Sequence, residues 1–268
     1  MTQTTEGTRT GDGLQVLVCV KRVPDSSSQV LLTEDSQAVD GRHVGFTVSP
    51  HEECAVELAV RLADATGGRA TVLTLGPAEA AEQLRNALAL GCGAAVHIEA
   101  DTTRFGPADV AREIAAVVRD HQQAGTAYDL VLLGNDAADS GDFQVGIRLA
   151  YALGRPVVNG ASTVEVAGGV LGARVDGPDG EESYSVPLPA VVTVLEGGVE
   201  PRYPTIKGRM AAKKVAIEER EPAAEPEGPR RVRLLLPPAS PSTVQVLGEG
   251  PEAAPAVVDL LEKLGVAK

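Results

Sequence analysis

Positive charge is the first thing this chain is short of. Its 268 residues carry 24 Lys and Arg against 37 Asp and Glu, a net charge of −13 and a pI near 4.8. That balance argues against binding a nucleic-acid polymer, which needs a basic footprint. Cysteine is scarce too. Cys19, Cys54 and Cys92 are odd in number, widely spaced and set in apolar patterns. Such a set suits unpaired buried thiols in a reducing cytosol better than a disulfide framework or a zinc site. No apolar run approaches 18 residues, so no membrane span is expected. The polar start, MTQTTEGTRTGDG, has no hydrophobic signal core; residues 1–13 read as a disordered tail. Tryptophan is absent and phenylalanine and tyrosine are few, but at 43% hydrophobic the composition is ordinary for a globular protein. Missing as well are GxGxxG, GxxxxGK[ST], any Ser-His-Asp or Cys-His arrangement, and any ligand spacing among His43, His51, His97 and His121. The absence of a catalytic set leans towards a carrier or binding module.

What is there is an alternation. LQVLVCV (14–20), RATVLTLG (69–76), AAVHIEA (94–100) and YDLVLLG (128–134) are short apolar runs of the kind that form strands buried on both faces. Between them, 50–68, 77–91 and 107–125 repeat apolar residues at helical spacing, each opened by proline and closed by glycine. A further helix follows Phe143, and Asp142 stands where it would cap it. This order predicts a parallel sheet covered on both faces, with ligands beyond the strands' C-terminal ends. Residues 161–197 change character: β-branched and polar residues alternate around AGG and GPDG turns, predicting an antiparallel meander that finishes in the buried strand PAVVTVLEG. A charged, proline-rich stretch, 218–231, reads as a linker or extended arm. Strand-like RVRLLLP and a C-terminal helix, PEAAPAVVDLLEKLG, end the chain. That helix is too short to be stable alone and is expected to dock on a partner.

Four loops gather at the same sheet edge: KRVPDSSS (21–28), SPHEE (49–53), LGPAE (75–79) and GNDAADSGDFQ (134–144). Helix starts and glycines there make a nucleotide crevice or a set of ordinary caps and turns, and both readings stand at this level. The last loop places three acids, Asp136, Asp139 and Asp142, where a phosphate loop would sit. Close carboxylates suit hard cations, but the spacing is not that of a calcium loop and lacks its terminal Glu, so no metal is expected. Lys207, Arg209, Lys213 and Lys214 form a basic run, read as a solvated helix face or as a patch steering an acidic partner.

Four segments, VLVCVKRVPD (16–25), ALALGCGAAVHIE (87–99), DLVLLGNDAADSGDFQVGIRLAYALGRP (129–156) and LPAVVTVLEGGVEPRYPTIKGRMAAKK (188–214), together resemble the β subunit of electron-transfer flavoprotein, in order and spacing, from about Leu14 to the C-terminus. The resemblance implies an α/β, Rossmann-like parallel sheet of the adenine nucleotide-binding type over 14–217, flanked by helices. The meander 161–197 would be its antiparallel β extension, and 218–268 a linker and C-terminal arm docking on an α subunit. It implies an electron carrier rather than an enzyme, located in the cytoplasm: a heterodimer whose α subunit holds most of the FAD, while this chain shields the flavin and binds AMP structurally. Electrons would arrive from flavoprotein dehydrogenases and leave to a membrane quinone oxidoreductase. Carried over residue by residue, the AMP pocket would comprise Cys19; Ser49, Pro50, His51 and Glu52; Leu75; and Asp136, Ala137, Ala138, Asp139, Ser140, Gly141, Asp142, Phe143, Gln144, Val145, Gly146 and Ile147. The partner-docking loop would be Leu195, Glu196, Gly197, Gly198, Val199, Glu200, Pro201 and Arg202. Two departures stand out: Ser49-Pro50 where the family usually has Asn-Pro, and Asp136-Ala137 where it has Gln-Ala. LEGG also resembles the nitrogen-fixation-associated and electron-bifurcating relatives, whose β subunit binds a second FAD instead of AMP. A nucleotide-binding sensor without a redox role is the alternative from another class.

Overall fold

The structure is a computed structural model describing residues 13–25, 30–42, 44–229, 231–238 and 244–266. The expected tail through residue 12, Ser26 to Ser28 and His43 lie outside the described residues. In chain order the elements are β1 (Gln15–Cys19), β2 (Val23–Pro24), β3 (Phe46–Thr47), α1 (Pro50–Thr66), β4 (Arg69–Gly76), α2 (Ala81–Leu90), β5 (Ala94–Glu99), α3 (Pro107–Gln123), β6 (Leu130–Gly134) and α4 (Val145–Leu153). Then come β7 (Val157–Ala167), β8 (Val170–Gly177), β9 (Gly180–Pro187), β10 (Ala190–Val194), α5 (Ile206–Ala212), β11 (Ile217–Arg220) and α6 (Ala254–Lys263).

One sheet of nine strands runs β11-β5-β4-β1-β6-β10-β7-β8-β9, parallel from β11 through β7 and antiparallel over β7-β8-β9. This is the expected α/β, Rossmann-like architecture with its antiparallel extension. The chain winds outward from β1 to β4 and β5, then returns to place β6 on β1's other side. That reversal opens a crevice between the C-terminal ends of β1 and β6.

Strand alternation sorts the core into two layers. Val16 and Val18 of β1, with Leu130 and Leu132 of β6, pack on the α1 and α2 side; Leu17, Cys19, Val131 and Leu133 pack on the α3 and α4 side. Both faces being covered explains why these strands read as unbroken apolar runs. Leu132 is fully buried, so truncating it to alanine costs about 2–5 kcal/mol.

Four local readings change. Residues 190–194 do not finish the meander; β10 slots between β6 and β7, parallel to both. The arm does not begin at residue 218, because β11 is an edge strand paired with β5. IEER has no strand signature of its own; side chains hold it, with Glu219 on His97, Glu218 on His121 and Arg220 on Asp120. RVRLLLP forms no strand. Asp142 does not cap α4: the N-cap is Gln144, which gives no side-chain hydrogen bond to the helix start.

The chain divides into two compact units, 1–234 and 235–268. In the second, a 3-10 turn over Gly250–Ala253 leads into α6, none of whose residues is buried; Val257 and Val258 are exposed on it.

Candidate functional site

A cavity of about 500 Å³ opens at the C-terminal ends of β1, β4 and β6, a size typical of small-molecule sites. Its floor is apolar: Leu73 and Leu75 come from β4, Leu133 from β6, and Val110 and Ile114 from α3. Charged groups line it as well, Lys21, Arg22, Arg148 and Arg231 together with Asp136, Asp139, Asp142 and the buried Glu52.

The first wall follows β1. Cys19 is buried there, and burial, with Glu52 adding to it, pushes its thiol far above the ordinary range. It is a packing group, not a nucleophile. Beyond it, Lys21 donates its backbone N–H to Glu52 Oε1 at 2.7 Å and its ammonium to Asp139 Oδ1 at 2.6 Å. The Arg22 guanidinium lies 3.4 Å from the Phe46 ring centroid, and its buried Nε has no hydrogen-bond partner among the described residues. Burial lowers the pKa of that guanidinium from its usual value, against the pull of Glu79 and Glu82.

Ser49, Pro50 and Glu52 build the start of α1 as a capping box. Ser49 Oγ accepts the Glu52 N–H at 3.4 Å, Glu52 Oε2 accepts the Ser49 N–H at 2.9 Å, and Pro50 opens the helix. Ser49 is thereby spent on the fold and does not line the cavity, whereas Glu52 does. Burial drives the Glu52 carboxyl up to about 7, outweighing the N–H bonds from Ser49 and Lys21. Gly134 makes room for it, since a Cβ there would stand 2.8 Å from Glu52 Cγ and 3.3 Å from His51 Cβ.

The acidic loop supplies the third wall. Asp136, Ala137, Asp139, Ser140, Asp142, Gln144, Val145 and Gly146 line the cavity; Ala138, Gly141, Phe143 and Ile147 do not. Phe143 is half exposed, and Tyr151, one helical turn beyond Ile147, stands in solvent. Gln144 Oε1 accepts from Arg148 at 2.8 Å. The first-turn N–H groups of α4 thus carry no side-chain cap where they meet the cavity, an arrangement that attracts anions. The helix sits this low because residue 146 is glycine: a Cβ there would be 2.3 Å from Thr193 Cγ2 on β10. Thr193 in turn takes the Gly160 N–H at 2.8 Å and bonds Asn135 Oδ1 at 2.8 Å. Among the described residues the three aspartates form no metal-holding group. Asp139 is paired with Lys21 and Asp136 with His51.

His51 does not line the cavity. Its Nε2 lies 2.8 Å from Asp136 Oδ1, and its Nδ1 accepts the backbone N–H of Glu196 at 2.9 Å. The loop 195–202 is held at several more points. Cys54 Sγ meets Val199 O at 3.4 Å, Arg202 pairs with buried Glu57 at 2.7 Å, and Gly198 passes so close to Ser162 O that a Cβ would stand 1.7 Å from it. Leu195 is half-buried, while Glu196, Gly197, Gly198, Glu200 and Arg202 are exposed and Pro201 is half-buried. Farther along, Lys207, Arg209, Lys213 and Lys214 are exposed.

Two walls escaped the sequence. Phe105 and Gly106 precede α3, and Pro229 and Arg231 belong to the stretch read as a linker. That stretch is strapped onto α3. Buried Asp109 accepts the N–H groups of Gly106, Glu227 and Gly228 and pairs with Arg112, while Glu113 accepts the Ala223 N–H. Burial raises the Asp109 carboxyl, but those hydrogen bonds outweigh it and hold it below the usual carboxylate range. The signal available was Asp109 and Glu113 on the buried face of a helix, where an acid needs a partner.

Residues 38–225 match the electron transfer flavoprotein domain family. The chain is 34% identical over 238 residues to an electron transfer flavoprotein subunit beta of Syntrophomonas wolfei, covering 88% of this chain and 91% of that one. It is 32% identical to the Bacillus subtilis protein of that name, over 92% of this chain and 97% of the other. For the human one the identity is 37%, over 78% and 82%.

Proposed function

The chain belongs to the electron transfer flavoprotein family, as a β subunit, and on that premise we propose that it works as half of a heterodimer with an α subunit, binding AMP in the cavity beyond β1 and β6. Electron transfer is the function the family implies. FAD, held mainly by the α subunit, supplies the redox chemistry when bound, between flavoprotein dehydrogenases and a quinone oxidoreductase or other acceptor. This chain's share is to bind, orient and shield.

The observation that carries the nucleotide reading is the pairing of an uncapped α4 start with a cavity-lining cation whose Nε lacks a partner. Both border the same cavity and both favour an anion there, as a nucleotide phosphate is. Arg148 and Arg231 add positive charge to the lining, and the Leu75, Val110 and Ile114 floor offers an apolar seat for a base. Within the acidic loop, Asp139 is offset by the Lys21 ammonium and Asp136 is held by a hydrogen bond from His51. The loop 195–202 is the surface for the redox partner. Residues 235–268, with the apolar side chains of α6 in solvent, reach the α subunit. The three buried free thiols suit a cytoplasmic location.

Co-expression with the α subunit, followed by mass-spectrometric counting of released ligands, tests the proposal. One FAD and one AMP per heterodimer is the expected result. Two FAD and no AMP would assign the bifurcating type instead, and a chain with neither flavin nor α partner would leave only a nucleotide-binding module.

A further inference from the structure

His51 joins two loops that the sequence holds far apart, and the chemistry of the join fixes its direction. A backbone N–H can only donate, so the Glu196 N–H at 2.9 Å makes His51 Nδ1 an acceptor. The ring proton then sits on Nε2, 2.8 Å from Asp136 Oδ1, and is donated to that carboxylate. The tautomer is set by the exposed loop 195–202, and its consequence is felt at a cavity-lining carboxylate. The seat is built for this ring. Pro50 and the capping box fix the first turn of α1, and Gly134 leaves the space beside His51 Cβ that a side chain would fill. The link also reinforces a backbone one, as Asn135 donates its N–H to Val194 O at 2.9 Å.

We infer that His51 is a positioning residue coupling the loop 195–202 to the cavity: it orients the Asp136 carboxylate according to where the Glu196 N–H stands. This rests on the reading that the cavity takes an adenine nucleotide and the loop takes a redox partner. A partner that draws Glu196 away removes the donor that holds Nδ1 as acceptor, and Asp136 loses its fixed Nε2–H. By reciprocity, a nucleotide that reorients Asp136 changes how firmly Glu196 is held. One hydrogen bond's worth of coupling corresponds to about a fivefold change in an equilibrium.

The test is amide-resolved hydrogen exchange on the full chain, for wild type, Asp136→Ala, His51→Ala and the double variant. D136A should speed exchange of the Glu196 amide about fivefold, because the ring then loses the acceptor that holds its proton on Nε2 and its Nδ1 facing Glu196. In the H51A background D136A should add nothing. An unchanged Glu196 amide in D136A, or equal effects with and without His51, overturns the inference. AMP itself is the second probe: it should slow Glu196 exchange in wild type and leave it unaltered in H51A. If AMP alters no amide between residues 134 and 147 in either protein, the nucleotide reading fails, and the D136A cycle still decides on the coupling. Imidazole nitrogen NMR of wild type gives a check that needs no variant: the proton should be on Nε2, and a proton on Nδ1 alone refutes the relay.

Discussion

Removing the Asp109 carboxylate should release the strap over α3 while leaving the sheet folded. Asp109 is 1% exposed and holds the Glu227 N–H at 2.9 Å, the Gly228 N–H at 3.0 Å, the Gly106 N–H at 3.2 Å and Arg112 at 2.9 Å. Two of these donors lie on the strap, and a hydrogen bond to a charged acceptor contributes about 1.5–3 kcal/mol. Asp109→Ala therefore removes about 3–6 kcal/mol from strap docking if the strap stays in place. The strap has an easier way out: by peeling off it returns its N–H groups to water, a local opening rather than global unfolding. The loss of global stability is then capped at the strap's own docking energy. Hydrogen exchange of 222–229 should accelerate at least about 100-fold, at about 1.4 kcal/mol per factor of ten, with the amides of β1 and β6 little changed. Asp109→Asn keeps one acceptor oxygen and should lose about half as much on the logarithmic scale. Acid should mimic the alanine variant. The folded carboxyl lies below its ordinary value, so its contribution is complete above the unfolded pKa of about 3.9 and disappears as pH falls through the folded value. Wild-type exchange rates over 222–229 in D109A would refute the reasoning, as would a uniform acceleration across the whole sheet.

Glu52 should show the opposite pH dependence. Its folded value of about 7 stands above the ordinary 4.5, so the native state keeps its proton longer and stability falls as pH rises from about 4.5 to about 7. The loss amounts to about 3 kcal/mol at 1.36 kcal/mol per unit. Glu52→Gln should remove that slope in urea unfolding compared between pH 5 and pH 8, and parallel curves for the two proteins would contradict the assignment. Truncation after residue 234 should leave unit 1 folded and weaken heterodimer formation in a pull-down with the α subunit; undiminished capture would exclude 235–268 as the docking arm.

The sheet centre was legible because burial on both faces writes itself into composition. VLVC, TVLTL and LVLLG admit nothing polar beyond the two threonines of β4, and proline and glycine mark where α1 and α3 begin and α1 ends. β11 was not legible, since IEER owes its pairing to His97, His121 and Asp120, partners about a hundred residues away. The start of α4 misled for a related reason. Asp142 is a good capping residue by type, but the close approach of Gly146 to Thr193 sets where the helix can begin. For the site, the loops after β1 and β6 were found by topology and by resemblance. Pro229 and Arg231 arrive only through the stretch that follows β11, and Phe105 through the loop before α3. Ser49 turned to the capping box, and His51 to the Glu196 N–H and the Asp136 carboxylate, partners that no residue type discloses.

The place of β10 in the sheet dictates an order of assembly. Its neighbours β6 and β7 both precede it along the chain, and residues 157–187 can form their antiparallel triplet from local turns before β10 exists. As the chain emerges during synthesis at about 5–20 residues per second, the far edge of β6 stays open until residue 194 follows residue 134, on the order of 3–12 s. Leu130 to Leu133, all buried in the finished sheet, wait through that interval as an unpaired apolar edge beside a preformed hairpin that must not claim it. β10 is the keystone strand, and the nascent protein is most exposed to mispairing just before it arrives.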